Sequence, residues 1–271
     1  MAASMDGGIA VVTGGTQGLG EATARLFAER GAGGLVICGR NATRGAAVAS
    51  DISARGCKTV FVRADLADLD QCRTVIATAD ETFGRVDALI NVAAITDRGT
   101  ILDTSPELFD TMFAINVRAP FFLMQDAAKI MIREAIKGTM VNVISMSGYG
   151  GQSFITAYCA SKGALQTLTR NTGYALMRNQ IRVNGLNIGW MDTPGEHRIQ
   201  SLYHGGDEDW LAKAEAGEPF GRLLKPAEVA RTIAFLASDE SGMMTGSLVD
   251  MDQTVIGCSD IQPQPAQALT I

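Results

Sequence analysis

The stretch Ile9-Ala10-Val11-Val12-Thr13-Gly14-Gly15-Thr16-Gln17-Gly18-Leu19-Gly20 decides the fold of this chain. Its apolar beginning predicts a buried strand, and the helical spacing of apolar residues from Glu21 to Phe27 predicts a helix directly after the glycines. Glycines let the backbone turn tightly and let an anion approach the N–H groups at the positive end of the helix. A glycine pattern also marks ordinary turns. Because of its position between strand and helix, we expect it to cradle the pyrophosphate of a dinucleotide.

Strand and helix patterns alternate from this turn to residue 251. Further apolar runs predict strands at 35–38, 59–62, 86–91, 140–144, 181–186 and 246–251. Helical patterns lie between them, at 42–55, 69–83, 105–133 (with an interruption allowed), 157–177, 195–217 and 226–237. Short apolar strands of this kind are typical of parallel sheets buried on both faces. We therefore expect an α/β fold: one Rossmann-like, doubly wound parallel sheet of about seven strands with helices on both faces.

Length and composition narrow the function classes. The 271 residues suit one domain over 1–271, with a polar substrate-side lid at about 195–217 and a Pro/Gln-rich tail at 261–271. The net charge of −6 and the lack of a Lys/Arg run argue against nucleic acid as a partner, and no apolar run predicts a membrane span. The N-terminus lacks the plan of a secretory signal, and five scattered cysteines suit reduced thiols, so we expect a cytoplasmic protein. The two histidines, seven residues apart, do not predict a metal site.

Polar residues at particular positions of the predicted elements indicate chemistry. Tyr158 and Lys162 are four residues apart on a predicted helix and therefore share one face. Ser145 ends a buried strand, where α/β sheets place ligand sites. Asn116 lies inside a predicted helix, where Asn is mildly unfavourable. Two alternatives stay open: a surface tyrosine above a solvated lysine, and a buried Asn116 amide that satisfies a neighbouring backbone.

Together these residues make the chain resemble the short-chain dehydrogenase/reductase family, of the soluble type near ketoacyl reductases and sugar or polyol dehydrogenases. The resemblance runs from about Ile9 to Asp252. The motifs that carry it are Thr13-Gly14-x-x-x-Gly18-x-Gly20, Asp65-Leu66, Asn91-Val92-Ala93-Ala94, Asn116, Ser145, Tyr158-x-x-x-Lys162, Arg182-Val183-Asn184, Gly189, Thr193 and Arg222. It implies hydride transfer between a nicotinamide cofactor and a secondary alcohol or ketone, without a metal.

The resemblance also implies catalytic roles. Tyr158 would be the general acid or base, and the Lys162 ammonium would lower the pKa of the phenol and bond the nicotinamide ribose. Ser145 would hold the substrate oxygen beside the tyrosine. Asn116, through its backbone or its side chain, would hold a water that links Lys162 to solvent.

The cofactor residues follow from the same resemblance. Asp65 would bond the adenine amino group, Asn91 would lie near the adenosine ribose, and Thr193 would touch the nicotinamide amide. Asp65 and Thr193 also have a structural alternative, as caps of a helix and a turn. The full predicted cofactor set is Gly14, Thr16, Gln17, Gly18, Leu19, Gly20, Arg40, Asn41, Asp65, Leu66, Asn91, Ala93, Tyr158, Lys162, Gly189 and Thr193.

The end of the second strand, Cys38-Gly39-Arg40-Asn41, indicates which nicotinamide cofactor to expect. NAD-binding folds place a carboxylate there for the ribose 2′-OH. No acid is present, and the Arg40 guanidinium is suited to a 2′-phosphate. The alternative is a surface arginine in a loop. We expect NADP rather than NAD.

The substrate is the least determined part of the site. We expect Ser147, Tyr149, Gln152, Trp190 and His197 to line its pocket, under the polar lid, which favours a small sugar or polyol. A ketoacyl-thioester-type or other carbonyl reductase, a catalytically silent dinucleotide-binding sensor and an interaction scaffold are the alternatives. The resemblance implies a homotetramer or homodimer. Ala94 and Ile188 depart from the family pattern in the loops beside the nicotinamide, and Gln253-Thr254 departs from it at the C-terminal edge.

Overall fold

Seven parallel strands form one sheet in the computed structural model, which describes residue 5 and residues 7–258. The strands are β1 (Ile9–Thr13), β2 (Gly34–Gly39), β3 (Thr59–Arg63), β4 (Ala88–Asn91), β5 (Thr139–Val143), β6 (Arg182–Ile188) and β7 (Leu248–Met251). Their order across the sheet is β3-β2-β1-β4-β5-β6-β7, and each neighbouring pair is parallel. The predicted Rossmann-like fold is confirmed. The tail predicted at 261–271 lies outside the described residues.

Helices cover both faces of the sheet and enclose two apolar cores. They are α1 (Gly18–Glu29), α2 (Ala42–Ala54), α3 (Leu69–Phe83), α4 (Pro106–Phe113), α5 (Ala119–Arg133), α6 (Thr156–Leu176), α7 (Pro194–Tyr203), α8 (Trp210–Gly217) and α9 (Pro226–Ala237). One core joins α1, α2 and α9 to the sheet around Phe27 and Ile233, and the other joins α3 and α5 around Ile76 and Leu123. Burial on both faces explains why the strands are continuously apolar.

Local sequence sets the helix ends. The Asp68 carboxylate accepts from the N–H groups of Asp70 and Gln71 and so caps α3, and Gly84 ends it with a φ of 71°. Ser105 caps α4 directly before Pro106.

The helix expected to run to Arg133 is interrupted by a π-helical segment, Ala114–Arg118. Pro120 lies four residues after Asn116 and has no N–H for the Asn116 carbonyl, so a regular α-helix cannot continue there. Asn116 therefore lies in the irregular segment, next to the site described below.

The topology places a crevice at the carboxyl ends of β1 and β4. The chain leaves β1 for β2 and β3 on one side and returns to β4 on the other side. Such a switch point is where open α/β sheets bind ligands. The polar lid expected at 195–217 forms α7 and α8 above this edge. None of the helices in the described part of the chain has the length and apolarity needed to cross a membrane.

Candidate active site

The glycine turn after β1 has the geometry of an anion cradle. Gly14 and Gly18 have φ angles of 67° and 54°, a region that side chains disfavour. A Cβ at Gly20 would lie 2.2 Å from the Gly14 carbonyl oxygen, so the turn closes only with glycine there. The Gln17 side chain makes no capping bond to α1, which leaves the first N–H groups of the helix without a side-chain acceptor. These groups can receive the oxygens of a phosphate.

A large cavity extends from this turn to the lid. Its volume is about 2100 Å³, more than the roughly 300–1,000 Å³ of a typical small-ligand pocket, so it has room for a dinucleotide together with a substrate. Nine of the predicted site residues line it: Gln17, Arg40, Ser145, Ser147, Gln152, Tyr158, Gly189, Trp190 and Thr193.

Three of the four predicted catalytic side chains meet in the middle of the site. Tyr158 and Lys162 lie one turn apart on α6, with the lysine Nζ 5.7 Å from the centroid of the tyrosine ring. Ser145 follows β5, accepts from the Ser147 N–H at 3.1 Å and hydrogen-bonds the Tyr158 side chain. Lys162 is almost completely buried, and its Nζ donates to the Val143 carbonyl at 3.0 Å. A strand end and a helix face thus hold a hydroxyl pair above a buried cation.

Burial rather than the neighbouring charge controls the pKa of Tyr158. It is raised from 10.0 to about 12, chiefly because burial disfavours the phenolate, while the bond from Ser145 acts in the opposite direction. Burial also lowers the pKa of Lys162 from 10.5 to about 8. In the cofactor-free protein burial outweighs any lowering of the tyrosine pKa by Lys162, whose Nζ donates to the Val143 carbonyl.

The Asn116 side-chain amide hydrogen-bonds to neighbouring groups of the protein. Its Oδ1 accepts from the Ile95 N–H, and its Nδ2 donates to the Ile95 carbonyl and the Ser161 Oγ, all at 3.0–3.1 Å. The alternative of a buried amide that satisfies a neighbouring backbone thus describes these bonds, and both N–H groups of the side chain are engaged in them. The Asn116 backbone carbonyl, which Pro120 cannot serve, stays the group to hold the predicted water.

Two arginines lie at the far end of the cavity, one of which the sequence did not indicate. Arg40 follows β2, and Arg44 lies on α2, where Asn41 caps the helix by accepting from the Arg44 N–H at 2.9 Å. Arg44 Nη1 donates to Gln17 Oε1 at 2.5 Å and so reaches the glycine turn. The available signal was a second arginine in the first turn of the helix that Asn41 caps.

Other predicted cofactor residues are buried or packed close to the site, and of these Gly189 lines the cavity. Leu19, Leu66 and Thr16 are buried, and Ala93 packs at 3.2 Å from the position of a Gly14 Cβ. A Cβ at Gly189 would lie 1.8 Å from the Asp252 carboxylate, so Gly189 lets the chain pass this side chain.

The structure tests the alternative roles of Asp65 and Thr193 as caps of a helix and a turn. Asp65 Oδ1 accepts from the Ala67 N–H in a tight turn, but Asp68 caps α3, so the expected alternative of Asp65 as the helix cap is wrong. Thr193 does cap α7, by accepting from the Glu196 N–H at 3.1 Å, and it lines the cavity as well.

Asn91 faces the protein interior. Its Nδ2 donates to Asn142 Oδ1 at 2.9 Å, and the side chain is buried away from the cavity wall. Its Oδ1 has no hydrogen-bond partner among the described residues, and its place near the adenosine ribose stays a prediction.

Tyr149 and His197 hold the walls of the site without lining it. The Tyr149 hydroxyl donates to Asp250 Oδ1 at 2.9 Å and points toward β7. His197 lies between Asp192, 2.8 Å from its Nε2, and Trp210, which donates to its Nδ1 at 3.1 Å. The His197 contacts link α7 and α8, and a substrate contact by Tyr149 or His197 stays a prediction.

The substrate end contains charged side chains outside the predicted set. Arg98, Glu196 and His204 line the cavity on the side of the lid. Arg98 and His204 are 106 positions apart and are joined by a 3.1 Å hydrogen bond. Only the fold brings them together.

Comparisons with known proteins agree with this geometry. Residues 14–254 match the profile of a family described as enoyl-(acyl carrier protein) reductase. The chain is 32% identical over 253 residues to a galactitol 2-dehydrogenase of Agrobacterium fabrum, covering 90% of this chain and 95% of that protein. It is 31% identical over 248 residues to an L-rhamnose 1-dehydrogenase (NAD(P)(+)) of a Sphingomonas species, covering 92% and 96%. A solved short-chain type dehydrogenase/reductase from Mycobacterium marinum is 30% identical, covers 92% of this chain and 96% of its own, and superposes with a TM-score of 0.84.

Proposed function

The chain belongs to the short-chain dehydrogenase/reductase family, and from that premise we propose that it interconverts a secondary alcohol and a ketone with NADP(H) as the preferred coenzyme. The observation that carries this proposal is the meeting of Ser145, Tyr158 and buried Lys162 in the cavity that begins at the glycine turn. A binding protein without catalysis has no need of a desolvated lysine, which is costly to bury.

Tyr158 is the group that gives or takes the proton on the substrate oxygen. At neutral pH its raised pKa keeps the hydroxyl protonated, ready to donate to a carbonyl. The Ser145 oxygen accepts from the Ser147 N–H, and its hydroxyl lies beside the Tyr158 side chain. Ser145 therefore fixes where the substrate oxygen lies. When bound, a nicotinamide dinucleotide supplies the hydride acceptor or donor.

Lys162 and the Asn116 carbonyl provide a route for the proton. The lysine pKa of about 8 lies within reach of neutral pH, so its ammonium can exchange a proton at moderate cost. Water at the Asn116 carbonyl would link it to solvent. Without this route for its proton, Tyr158 could not act as a base at neutral pH.

The dinucleotide fits the residues that are present. The glycine turn and the first N–H groups of α1 suit a pyrophosphate. At the far end Arg40 and Arg44 offer two guanidinium groups for a 2′-phosphate, and no carboxylate follows β2 for a 2′-OH. This arrangement supports NADP over NAD.

A hydroxylated substrate fits the lid better than an acyl chain does. Glu196, Gln200, Arg98 and His204 line the substrate end, and such polar groups reject a hydrocarbon that leaves them unpaired. The similar proteins named for galactitol and L-rhamnose support a sugar or polyol.

We also propose a homotetramer or homodimer in the cytoplasm. Phe109 and Phe121, on α4 and α5, expose more than two fifths of their surface, which suits a contact between subunits. Cys38, Cys57 and Cys72 are buried free thiols, as in a reducing compartment. Light scattering of the purified protein gives the number of subunits, and a monomer would contradict the assembly.

The direct test is turnover on a panel of polyols, sugars, keto esters and simple alcohols with NADP(H) and NAD(H), followed at the nicotinamide absorbance. We expect activity with sugars or polyols, and higher kcat/KM with the phosphorylated coenzyme. Lack of turnover with every compound, together with lack of coenzyme binding by fluorescence, would refute the proposal.

A further inference from the structure

Two side chains of opposite charge face Tyr158 from different walls of the cavity. Glu196 lies in the first turn of α7, and Arg98 lies in the loop that follows β4. Glu196 raises the pKa of Tyr158 and Arg98 lowers it, so both act on the hydroxyl that handles the substrate proton. The substrate must therefore satisfy an anion and a cation at once.

The Glu196 carboxylate is held in one orientation. Its Oε1 accepts from Trp190 Nε1 at 2.8 Å and from Gln200 Nε2 at 2.7 Å. Within residues 7–258, Oε2 receives no donor. Because the first oxygen is fixed twice, the second is a preorganised acceptor on the cavity wall.

Arg98 is held as firmly. Its Nε donates to His204 Nε2 at 3.1 Å, its Nη1 donates to the Thr96 carbonyl at 2.9 Å, and its guanidinium lies 5.4 Å from the centroid of the Phe154 ring. Its Nη2 has no acceptor, and it forms no ion pair, among the residues that the structure describes. It is therefore a donor that still lacks a partner.

Two neighbours of Arg98, Asp97 and His204, form hydrogen bonds of their own. Asp97, next to Arg98 in the chain, accepts from the Tyr203 hydroxyl at 3.1 Å. His204 accepts from Arg98 and so carries no proton on Nε2. Both Glu196 and Arg98 line the cavity, and within the described part of the chain no salt bridge joins them, so a substrate can contact each.

We propose that the substrate is an uncharged polyhydroxylated molecule that reacts at an interior carbon. One hydroxyl beside the reacting carbon donates to Glu196 Oε2, and a hydroxyl oxygen on the other side accepts from Arg98 Nη2. This inference rests on the proposed alcohol–ketone chemistry and names its substrate class.

Hydroxyls fit both groups. A hydroxyl is donor and acceptor, so one polyol serves both walls. A carboxylate or phosphate that suits Arg98 would be repelled by Glu196, and an amine that suits Glu196 would be repelled by Arg98. A simple alcohol or an acyl chain would leave both charged groups without partners.

Glu196→Gln tests the inference with little disturbance of the scaffold. The amide oxygen still accepts from Trp190 and Gln200, but the free position becomes an N–H donor. The matched control is Glu208→Gln, which removes a charge from the exposed lid outside the cavity. Steady-state kinetics with NADP+ compare galactitol, its carboxylate analogue galactonate, and cyclohexanol, which has one hydroxyl.

We expect the natural protein to favour galactitol over both analogues. Glu196→Gln should lower kcat/KM for galactitol by about 10- to 100-fold, the effect of losing a hydrogen bond to a charged group. The value for cyclohexanol should change by less than about threefold, because it never used that oxygen. Glu208→Gln should resemble the natural protein with every compound.

Binding gives a second readout that does not need turnover. In a Tyr158→Phe background with NADP+, galactitol should change the emission of Trp190, which donates to Glu196, and adding Glu196→Gln should weaken this titration by a similar factor.

Preference for galactonate, an equal loss on galactitol and cyclohexanol, or a galactitol titration unaffected by Glu196→Gln would each overturn the inference. Turnover of cyclohexanol without turnover or binding of any polyol would overturn it while leaving the alcohol–ketone chemistry intact. Absence of coenzyme binding would instead remove the proposed function.

Discussion

Lys162→Met should remove a pH dependence of stability that the structure assigns to one buried ammonium. The lysine is 2% exposed, and burial lowers its pKa from 10.5 to about 8. At about 1.4 kcal/mol for each pKa unit, the buried charge costs roughly 3 kcal/mol of folding free energy below pH 8. The bond to Val143 offsets part of this cost at every pH below that value.

The sign follows from proton binding. Between about pH 8 and 10.5 the unfolded chain holds a proton on Lys162 that the folded chain has released, so the free energy of unfolding rises with pH there. The penalty is complete below pH 8 and is gone above 10.5. The natural protein should therefore gain up to about 3 kcal/mol relative to Lys162→Met over this window.

Urea unfolding of the coenzyme-free protein at several pH values from 7 to 10 measures this difference. Lys129→Met is the matched control, since Lys129 is mostly exposed on α5 and pairs with Asp126 at the surface; its difference from the natural protein should stay flat with pH. Lys162→Met should also lose turnover at every pH. A pH-independent difference for Lys162→Met would refute the claim that its ammonium is desolvated.

Two further predictions concern the ends of the cavity. Arg44→Gln should weaken NADPH binding by about 10-fold or more, the effect of a lost charge-assisted bond, and should leave NADH binding unchanged. Fluorescence titration measures both affinities, and Arg55→Gln at the other end of α2 is the control. An equal loss of affinity for the two coenzymes would contradict a role of Arg44 at the 2′-phosphate. Burial and Arg98 lower the pKa of His204 below 6.5, so it is neutral at pH 7 and accepts from Arg98. As acidification protonates His204, it should release Arg98 and raise KM for polyols, and a KM that stays flat down to the lowest pH at which the protein remains folded would count against this link.

The fold could be predicted because its signals are local. The α3 boundaries follow from Asp68 and Gly84, a cap and a left-handed stop that act within one turn. The apolar strands needed no partner to be recognised, because parallel strands are buried on both faces. The candidate catalytic hydroxyls could be placed too, since Ser145 ends a strand and the spacing of Tyr158 and Lys162 is helical.

Hydrogen-bond partners and pKa values could not be predicted from the sequence, because they depend on contacts between distant segments. The Asn116 amide hydrogen-bonds to the Ile95 backbone, and the Tyr149 hydroxyl donates to Asp250 on the last strand. The pKa values of Tyr158 and Lys162 depend on how much water their neighbours exclude, which no spacing reveals. Desolvation reversed the expected shift of the tyrosine for this reason.

The central claim is that the Tyr158 hydroxyl carries the substrate proton, and Tyr158→Phe tests it most directly. With the best substrate of the panel, kcat should fall by about 10²- to 10⁴-fold, the contribution of general acid–base catalysis, while the dissociation constant for NADPH stays the same. Tyr174→Phe, an exposed position on the same helix, serves as the control and should keep full activity. Turnover by Tyr158→Phe at the natural rate would contradict the account.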